Sequence, residues 1–444
     1  MISRPHSRST GCFRFSSALA ATGLHCPAGR FLVGLRQVHN RAPHDSIRAI
    51  KIGARTFSRA DRLPESESGK ARLGFSMQKR PILAFDARAH ATGIGRYTEQ
   101  LLIGLRTSLP GVEMWCIVHP AHGKKLAAYA DRIIPSSAPM YSVKAQMSIP
   151  GLAEGATLLH CPHYDIPVLY SHRMSVTIHD VTHLLDPAFK NTLKSRIFAK
   201  SILKLAVAKA RRIITISEYS KRMILEHLGG DENKISVIHR YASPIFAPLP
   251  RLEAKEIVRR QLGLGRDYFL FVGSPKPHKN LPVLFEAFSR QRANDHTHEL
   301  VIIGKDEKNE QSLHTLAVRL GIDKSVRWID SVSDELLRAC YSGAEATILP
   351  SRQEGFGLPV IESMACGTPV ICADAASLPE VAGGCALLFD PSSAEDCGVQ
   401  MSKIIESPQV RSELREKGLE RARQFDAAKA VAGHAQLFTE LLAS

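Results

Sequence analysis

The chain has 444 residues, enough for two or three domains with sizeable cores, and 44% hydrophobic with 23% charged residues is a globular composition. Its net charge of +15 resembles that of a nucleic-acid binder, but residues 1–77 carry +9 of it and the remaining 367 residues only +6, so no nucleic-acid partner is expected. Nine cysteines, an odd number without a Cys-x-x-Cys pair, argue for reduced thiols in a cytosol-like compartment, and no run of 18 apolar residues is present to span a membrane.

Residues 1–77 are rich in Arg and Ser, contain no acidic residue before Asp45, and lack the sustained apolar core of a secretory signal. They read as a disordered or misassigned extension, with Met77 as the alternative start; a transit peptide or a basic arm has the same composition. From Pro81 onward, strands and helices alternate, which predicts parallel sheets covered on both faces. Strands are expected at Ile82–Phe85, Glu113–Val118, Thr157–His160, Val176–His179, Ile213–Ile216 and Ile235–His239, with helices including Arg96–Arg106 and Ser217–Leu228. Pro244, Pro248 and Pro250 interrupt the pattern within Tyr241–Leu252, which marks a hinge. Strands then recur at Tyr268–Val272, Leu300–Ile303, Val326–Ile329, Ala346–Leu349, Val370–Cys372 and Ala386–Phe389. Between them Leu281–Arg290 is helical, with Leu281, Leu284, Phe285 and Phe288 on one face. The fold class is α/β: two Rossmann-like doubly wound domains facing a cleft. The expected division is 78–243 on the acceptor side, 244–426 on the nucleotide-sugar side, and 427–444 as a closing helix able to cross back, with a break at Phe425-Asp426.

Glu354 and Glu362 stand where a strand turns into a helix. Ala346–Leu349 ends at Pro350, Pro359 suits the first helical turn, and Gly367 with Pro369 stops the helix. Backbone N–H groups and the dipole at such a helix start favour an anion. A solvated carboxylate followed by a dipole-complementing Glu gives the same spacing, but Gly355 and Gly357 permit the close approach of a ligand. Across the sheet, Gly273-Ser274-Pro275-Lys276-Pro277-His278-Lys279-Asn280 follows a strand and brings two lysines to its carboxyl end, where they suit a diphosphate. No Asp-x-Asp occurs in any frame, which removes the simplest carboxylate arrangement for a metal-held diphosphate.

In the first half, Thr92-Gly93-Ile94-Gly95-Arg96-Tyr97 opens a helix and resembles a phosphate-approaching turn, although Thr98 stands where a dinucleotide fingerprint requires Gly or Ala. An NAD-dependent oxidoreductase would rest on this turn alone. His179-Asp180 ends the strand at Val176, pointing to the cleft; His179 there donates a hydrogen bond to a sugar hydroxyl, shuttles a proton, or is satisfied by local backbone. His160-Cys161-Pro162-His163 has no matching second cluster at zinc spacing and reads as a strand end and loop lining the cleft. Between Lys190 and Arg212 lie eight basic residues and no acidic one. On a helix, Phe198, Ile202 and Leu205 share a face opposite Lys190, Lys194, Lys200, Lys204 and Arg211; this pattern suits an anionic membrane surface or a solvated face over an ordinary core stripe.

The run Glu354-Gly355-Phe356-Gly357-Leu358-Pro359-Val360-Ile361-Glu362-Ser363-Met364-Ala365-Cys366-Gly367-Thr368-Pro369 resembles the Glu-(x)7-Glu signature of glycosyltransferase family 4, retaining enzymes of the GT-B fold. Ser377-Leu378-Pro379-Glu380-Val381, the Gly273–Asn280 loop, Gly93–Tyr97 and His179-Asp180 fit it too, over roughly residues 81–440. The resemblance implies catalytic roles for Glu354, on hydroxyls of the transferred sugar, and His179, near its anomeric centre. Glu362 would bind ribose, and Lys279 the diphosphate together with the backbone of Gly355, Phe356, Gly357 and Leu358. Gly95 would face the phosphates from the other domain. Many members carry Arg where Ser274 stands, a donor-binding position that Lys276 or Arg352 would have to supply instead. The implied reaction moves a hexose, with mannose the first guess, from a nucleoside diphosphate sugar to a glycan or lipid-linked acceptor. It needs no cofactor or metal. The chain is expected in the cytoplasm or peripherally on the inner face of the cytoplasmic membrane, and its overall resemblance leans toward mannosyltransferases of surface polysaccharide assembly. A non-catalytic nucleotide-sugar-binding protein on the same fold is the alternative.

Overall fold

The computed structural model describes residues 80–89, 93–185, 193–294 and 297–443; the 1–77 extension, Thr92 and Lys190 lie outside them. Two all-parallel sheets account for the described strands. The first consists of β1 (Ile82–Asp86), β2 (Glu113–Val118), β3 (Arg132–Pro135), β4 (Leu158–Cys161), β5 (Met174–Thr177), β6 (Arg212–Thr215) and β7 (Ile235–Val237), in the order β3-β2-β1-β4-β5-β6-β7. The second consists of β8 (Tyr268–Val272), β9 (Glu299–Ile303), β10 (Val326–Ile329), β11 (Ala346–Leu349), β12 (Val370–Ala373) and β13 (Leu387–Phe389), in the order β10-β9-β8-β11-β12-β13. Both orders reverse direction after their first strand, between β1 and β4 and between β8 and β11. A crevice opens at such a reversal because the flanking connections leave on opposite faces.

The central strands are apolar throughout because helices cover both sheet faces. Phe269, Leu270 and Phe271 of β8 are fully buried, as are Leu281, Leu284, Phe285 and Phe288 of the helix Leu281–Asn294. Each such side chain contributes about 1.5–3 kcal/mol on leaving water. Helix Ala427–Ala443 buries Leu437, Phe438 and Leu441 in the same core as Leu83, Phe85 and Leu105 of the first domain. Gly104 permits that contact: a Cβ there would meet Val431 Cγ2 at 2.3 Å. The chain breaks between helices Pro408–Arg423 and Ala427–Ala443, where the Asp426 side chain accepts from the Lys429 N–H at 2.9 Å.

Several expected boundaries shift. β3 escapes the sequence because it offers only Ile133 and Ile134 before Pro135, which lacks the N–H needed by a central strand; β3 accordingly lies at the sheet edge. Strand β5 ends at Thr177, so His179 stands two residues beyond it instead of within it. The first helix spans Gly93–Ser108, which puts Gly95 inside its first turn. In helix Leu193–Lys209 the expected Phe198, Ile202 and Leu205 face is divided. Ile202 turns inward beside Leu203, Ala206 and Val207, whereas Phe198 and Leu205 are 50% and 39% exposed.

Candidate active site

Two loops at the carboxyl ends of β8 and β11 form one wall. After β8 the chain turns through Pro277–Lys279, and Asn280 takes a left-handed φ of 58°, anchored by its side-chain N–H to Pro391 O at 2.8 Å. This turn directs Lys279 Nζ onto Glu354 Oε1, which also accepts from Ser351 Oγ at 2.8 Å. The two charged side chains are 19% and 11% exposed, so the pair is poorly screened by water. After Glu354, Gly357 at φ 90° caps helix Leu358–Ala365, whose start is the expected anion seat.

The other wall comes from the first domain. A cavity of about 300 Å³ lies between His163, Tyr164, His179, Asp180 and His183 on this side and Lys276, Gln353, Glu354 and Gly355 on the other. The approach is close: a Cβ on Gly355 would lie 2.9 Å from Asp180 Oδ2 and 3.1 Å from His179 O, so only glycine fits.

His179 is held by two contacts. Its Nε2 lies 3.0 Å from Pro162 O, and the Tyr97 ring meets it edge-on at 4.8 Å. A carbonyl only accepts, so Nε2 carries the proton and Nδ1 is left as an acceptor. Burial, reinforced by Arg240 and His163, pushes the His179 pKa down to about 3. The side chain is therefore neutral at pH 7 and offers Nδ1 as an acceptor; of the three roles the sequence left open, the local-backbone contact is the one present, to Pro162 O. His163 is similarly depressed to about 4, by burial and then His183 and Arg88. Tyr164 stacks between His163 at 4.1 Å and His183 at 5.0 Å.

The remaining expected site residues fall in different places. Glu362 is 6% exposed, and its Oε2 accepts from Tyr341 O–H at 2.8 Å; burial raises its carboxyl pKa despite that bond and the nearby Arg96 and Arg240. Phe356 is buried against Phe425 and leaves only its backbone to the cleft, and Leu358 also packs on that core. Gly95 is buried in its helix, and Ile94 lines the cavity instead. Ser274 Oγ donates to Lys305 O at 3.0 Å. Of the two residues suggested to replace the missing Arg, Lys276 lines the cavity while Arg352 donates to Pro277 O at 3.3 Å. His160 turns away from His163 into the core, against Ser175 Oγ at 3.0 Å and Thr177 Oγ1 at 3.3 Å. Tyr164 and His183 carry no signal in the sequence, because only the fold brings them to the cleft; Gln353 arrives there as the neighbour of Glu354.

A family model described as Glycosyltransferase Family 4 matches residues 91–241, and one described as Glycosyl transferases group 1 matches residues 254–424. The chain belongs to glycosyltransferase family 4. Among relatives of this family 4 chain, O-antigen chain mannosyltransferase B of Escherichia coli is 27% identical over 277 residues, 60% of this chain and 70% of the relative. O-antigen chain mannosyltransferase RfbU of Salmonella typhimurium is 29% identical over 250 residues, 56% of this chain and 65% of its own. Of solved structures, sucrose-phosphate synthase from Thermosynechococcus elongatus superposes with a TM-score of 0.68 at 20% identity, covering 82% of this chain and 100% of that one. Anabaena HepE in complex with UDP-glucose gives 0.67 at 17%, covering 81% and 99%. These likenesses establish the GT-B fold, and the family makes the chain a glycosyltransferase.

Proposed function

We propose that this glycosyltransferase retains anomeric configuration while moving a hexose, with mannose the first donor to test, from a nucleoside diphosphate to a hydroxyl of a glycan or lipid-linked acceptor in surface polysaccharide assembly. The observation that carries the reading is the Lys279–Glu354 pair placed opposite neutral His179 across one cavity. As the sugar–phosphate bond breaks, negative charge grows on the departing diphosphate. Lys279, held by Glu354, and the amides around Gly355–Leu358 are fixed donors for that charge and need little reorganisation as it develops, while exposed Lys276 lines the same cavity. Glu354 accepts from hydroxyls of the transferred sugar, His179 Nδ1 accepts near its anomeric centre, and Glu362 holds the ribose. No side chain is assigned as covalent nucleophile; the leaving phosphate takes the acceptor proton on the face it departs from.

The catalytic unit comprises residues 78–243 and 244–426, with 427–444 closing on the first domain. The relatives' printed O-antigen mannosyltransferase names support mannose and a polysaccharide acceptor. Exposed Ile197, Phe198 and Leu205 beside Lys200 and Lys204 support peripheral docking on the inner face of the cytoplasmic membrane. The described residues contain no helix long and apolar enough to cross a membrane.

The test is a thermal-stability screen with GDP-mannose, UDP-glucose and other nucleotide sugars, followed by NMR of the product formed on octyl α-mannoside. A donor at 100 times its Kd adds about 2.7 kcal/mol. An α-linked product from an α-linked donor supports retention; a β-linked product overturns it.

A further inference from the structure

The loop that carries Glu354 is held from both sides of the cleft. Within its own domain, Ser377 Oγ donates to Glu354 O at 3.0 Å. From the first domain, Ser217 Oγ donates to the next carbonyl, Gly355 O, at 2.7 Å, Ser220 Oγ lies 3.3 Å from the same atom, and Tyr219 O–H donates to Gln353 Oε1 at 2.9 Å. These three first-domain residues form the amino terminus of one helix, Glu218–Leu228, whose N-cap is Ser217.

That terminus is itself completed from the second domain. The Glu380 carboxylate accepts from the Glu218 N–H at 2.8 Å and the Tyr219 N–H at 2.9 Å, the two donors that open the helix. A carboxylate at this place satisfies otherwise orphaned N–H groups and meets the positive end of the helix dipole. Burial works to raise the Glu380 carboxyl, but the bonds from His239, Tyr219 and Glu218 outweigh it and hold it below its usual range. Glu380 is fixed from behind, because Arg421 Nη2 donates to its backbone carbonyl at 2.7 Å. The contacts thus run in a ring: Glu380 caps the helix, the helix holds Gln353 and Gly355, and Ser377, three residues before Glu380, holds Glu354.

We propose that this ring is a cross-cleft latch in which Glu380, Ser217, Tyr219 and Ser220 are positioning residues that shape the Glu354 loop only while the two domains are in contact. It rests on the reading of Glu354 as the sugar-holding carboxylate, and it adds that the sugar end of the donor site is completed by the first domain. The nucleotide end, from Lys279 to helix Leu358–Ala365, is carried on second-domain elements, with Arg96 and Arg240 of the first domain near Glu362.

Hydrogen–deuterium exchange on the full chain without ligand tests the latch directly, using Glu380→Ala, Glu380→Gln and Tyr219→Phe. Losing two charge-assisted bonds in Glu380→Ala should speed exchange in both 218–220 and 351–357 by about tenfold or more. Glu380→Gln, which keeps an accepting oxygen, should fall between it and the parent. Tyr219→Phe should speed 351–357 severalfold and leave 218–220 unchanged. Helix 358–365 and the affinities for UDP and GDP alone should stay within twofold of the parent, while kcat falls with the loosening of the loop. Faster exchange at 218–220 with no change at 351–357 overturns the proposal, as does a Glu380→Gln variant whose loop exchanges as fast as that of Glu380→Ala. Failure of the underlying reading shows up separately, as a Glu354→Ala enzyme with parental turnover, and leaves the exchange result to be judged by itself.

Discussion

The two walls of the cleft solve different electrostatic problems. The second-domain wall carries full charges that are already arranged, with Lys279 bound to Glu354 and Lys276 beside them. The first-domain wall is rich in imidazoles, and those of His163, His179 and His183 are all pushed toward the neutral form by burial. On the proposed reading, charge development belongs on the second wall, where cations do not have to be recruited, and the first wall adds the neutral acceptor His179 opposite the hydroxyl-holding Glu354.

The largest effect expected from breaking this asymmetry is at Lys279. Lys279→Ala removes a fixed cation and leaves Glu354 unpaired, so kcat/KM should fall by about 10²–10³. Lys279→Arg should recover part of that, because the charge returns while the point-like ammonium contact does not. Steady-state kinetics with the donor found by thermal screening decides; losses under threefold in both variants would remove the charged wall from the mechanism.

Next is the response to acid. A histidine that is neutral in the folded protein and titrates near 6.5 when unfolded binds more protons unfolded, so stability is complete above 6.5 and falls with pH below it. His434, in the closing helix, is held down to about 4 by burial while its Nε2 bonds Tyr97 O–H at 2.9 Å. By pH 5 it alone should cost about 2 kcal/mol, at about 1.4 kcal/mol per pH unit. Melting temperatures at pH 7.5, 6 and 5 should decline, and His434→Gln should lower the first value yet flatten the slope. A parallel curve for the variant would assign the acid sensitivity to other groups.

A smaller effect separates two roles for His179. As a neutral acceptor of one hydrogen bond it is worth roughly 1 kcal/mol, so His179→Asn should lower kcat by about tenfold or less. A general base would cost about 10²–10⁴ and impose a titration near neutrality. The expected outcome is a modest loss with a flat pH profile between 6 and 8, because the group that would titrate there is held near 3.

The charged wall was legible in the sequence, and the first-domain wall was legible only in part, at His163, His179 and Asp180. Glu354, Gly355 and Lys279 belong to loops that directly follow strands β8 and β11, so local pattern placed them together with no knowledge of the tertiary structure. The strand pattern likewise exposed the two sheets, failing at β3, where two apolar residues are too few for a period to show. Tyr164, His183 and Tyr219 reach the cleft only through the packing of several connections, and each alone looks like an ordinary polar surface residue. Glu380 belongs to the family-like run Ser377–Val381, but the helix amides it caps are 161 and 162 residues away. The tautomer of His179 depended on one carbonyl, Pro162 O, which the sequence could not aim.

The smallest expected effect concerns metal. If fixed lysines carry the charge of the diphosphate, a divalent ion has little left to neutralise at the second wall. Among the described residues, ligand atoms converge within 4.8 Å at Asp267, His298 and Glu345. These residues immediately precede β8, β9 and β11, at the amino ends of the sheet, whereas the Lys279 and Glu354 loops leave its carboxyl ends. Asp267 is already paired with Lys255, and Glu345 with Arg251. Any ion there would compete with the protein's own cations on the wrong side of the sheet for transfer. EDTA treatment should therefore change kcat/KM by less than about twofold, with no gain on adding Mg²⁺. A tenfold loss restored by Mg²⁺ would transfer the charge handling from Lys279 to an ion, and the two walls would then differ less than their side chains imply.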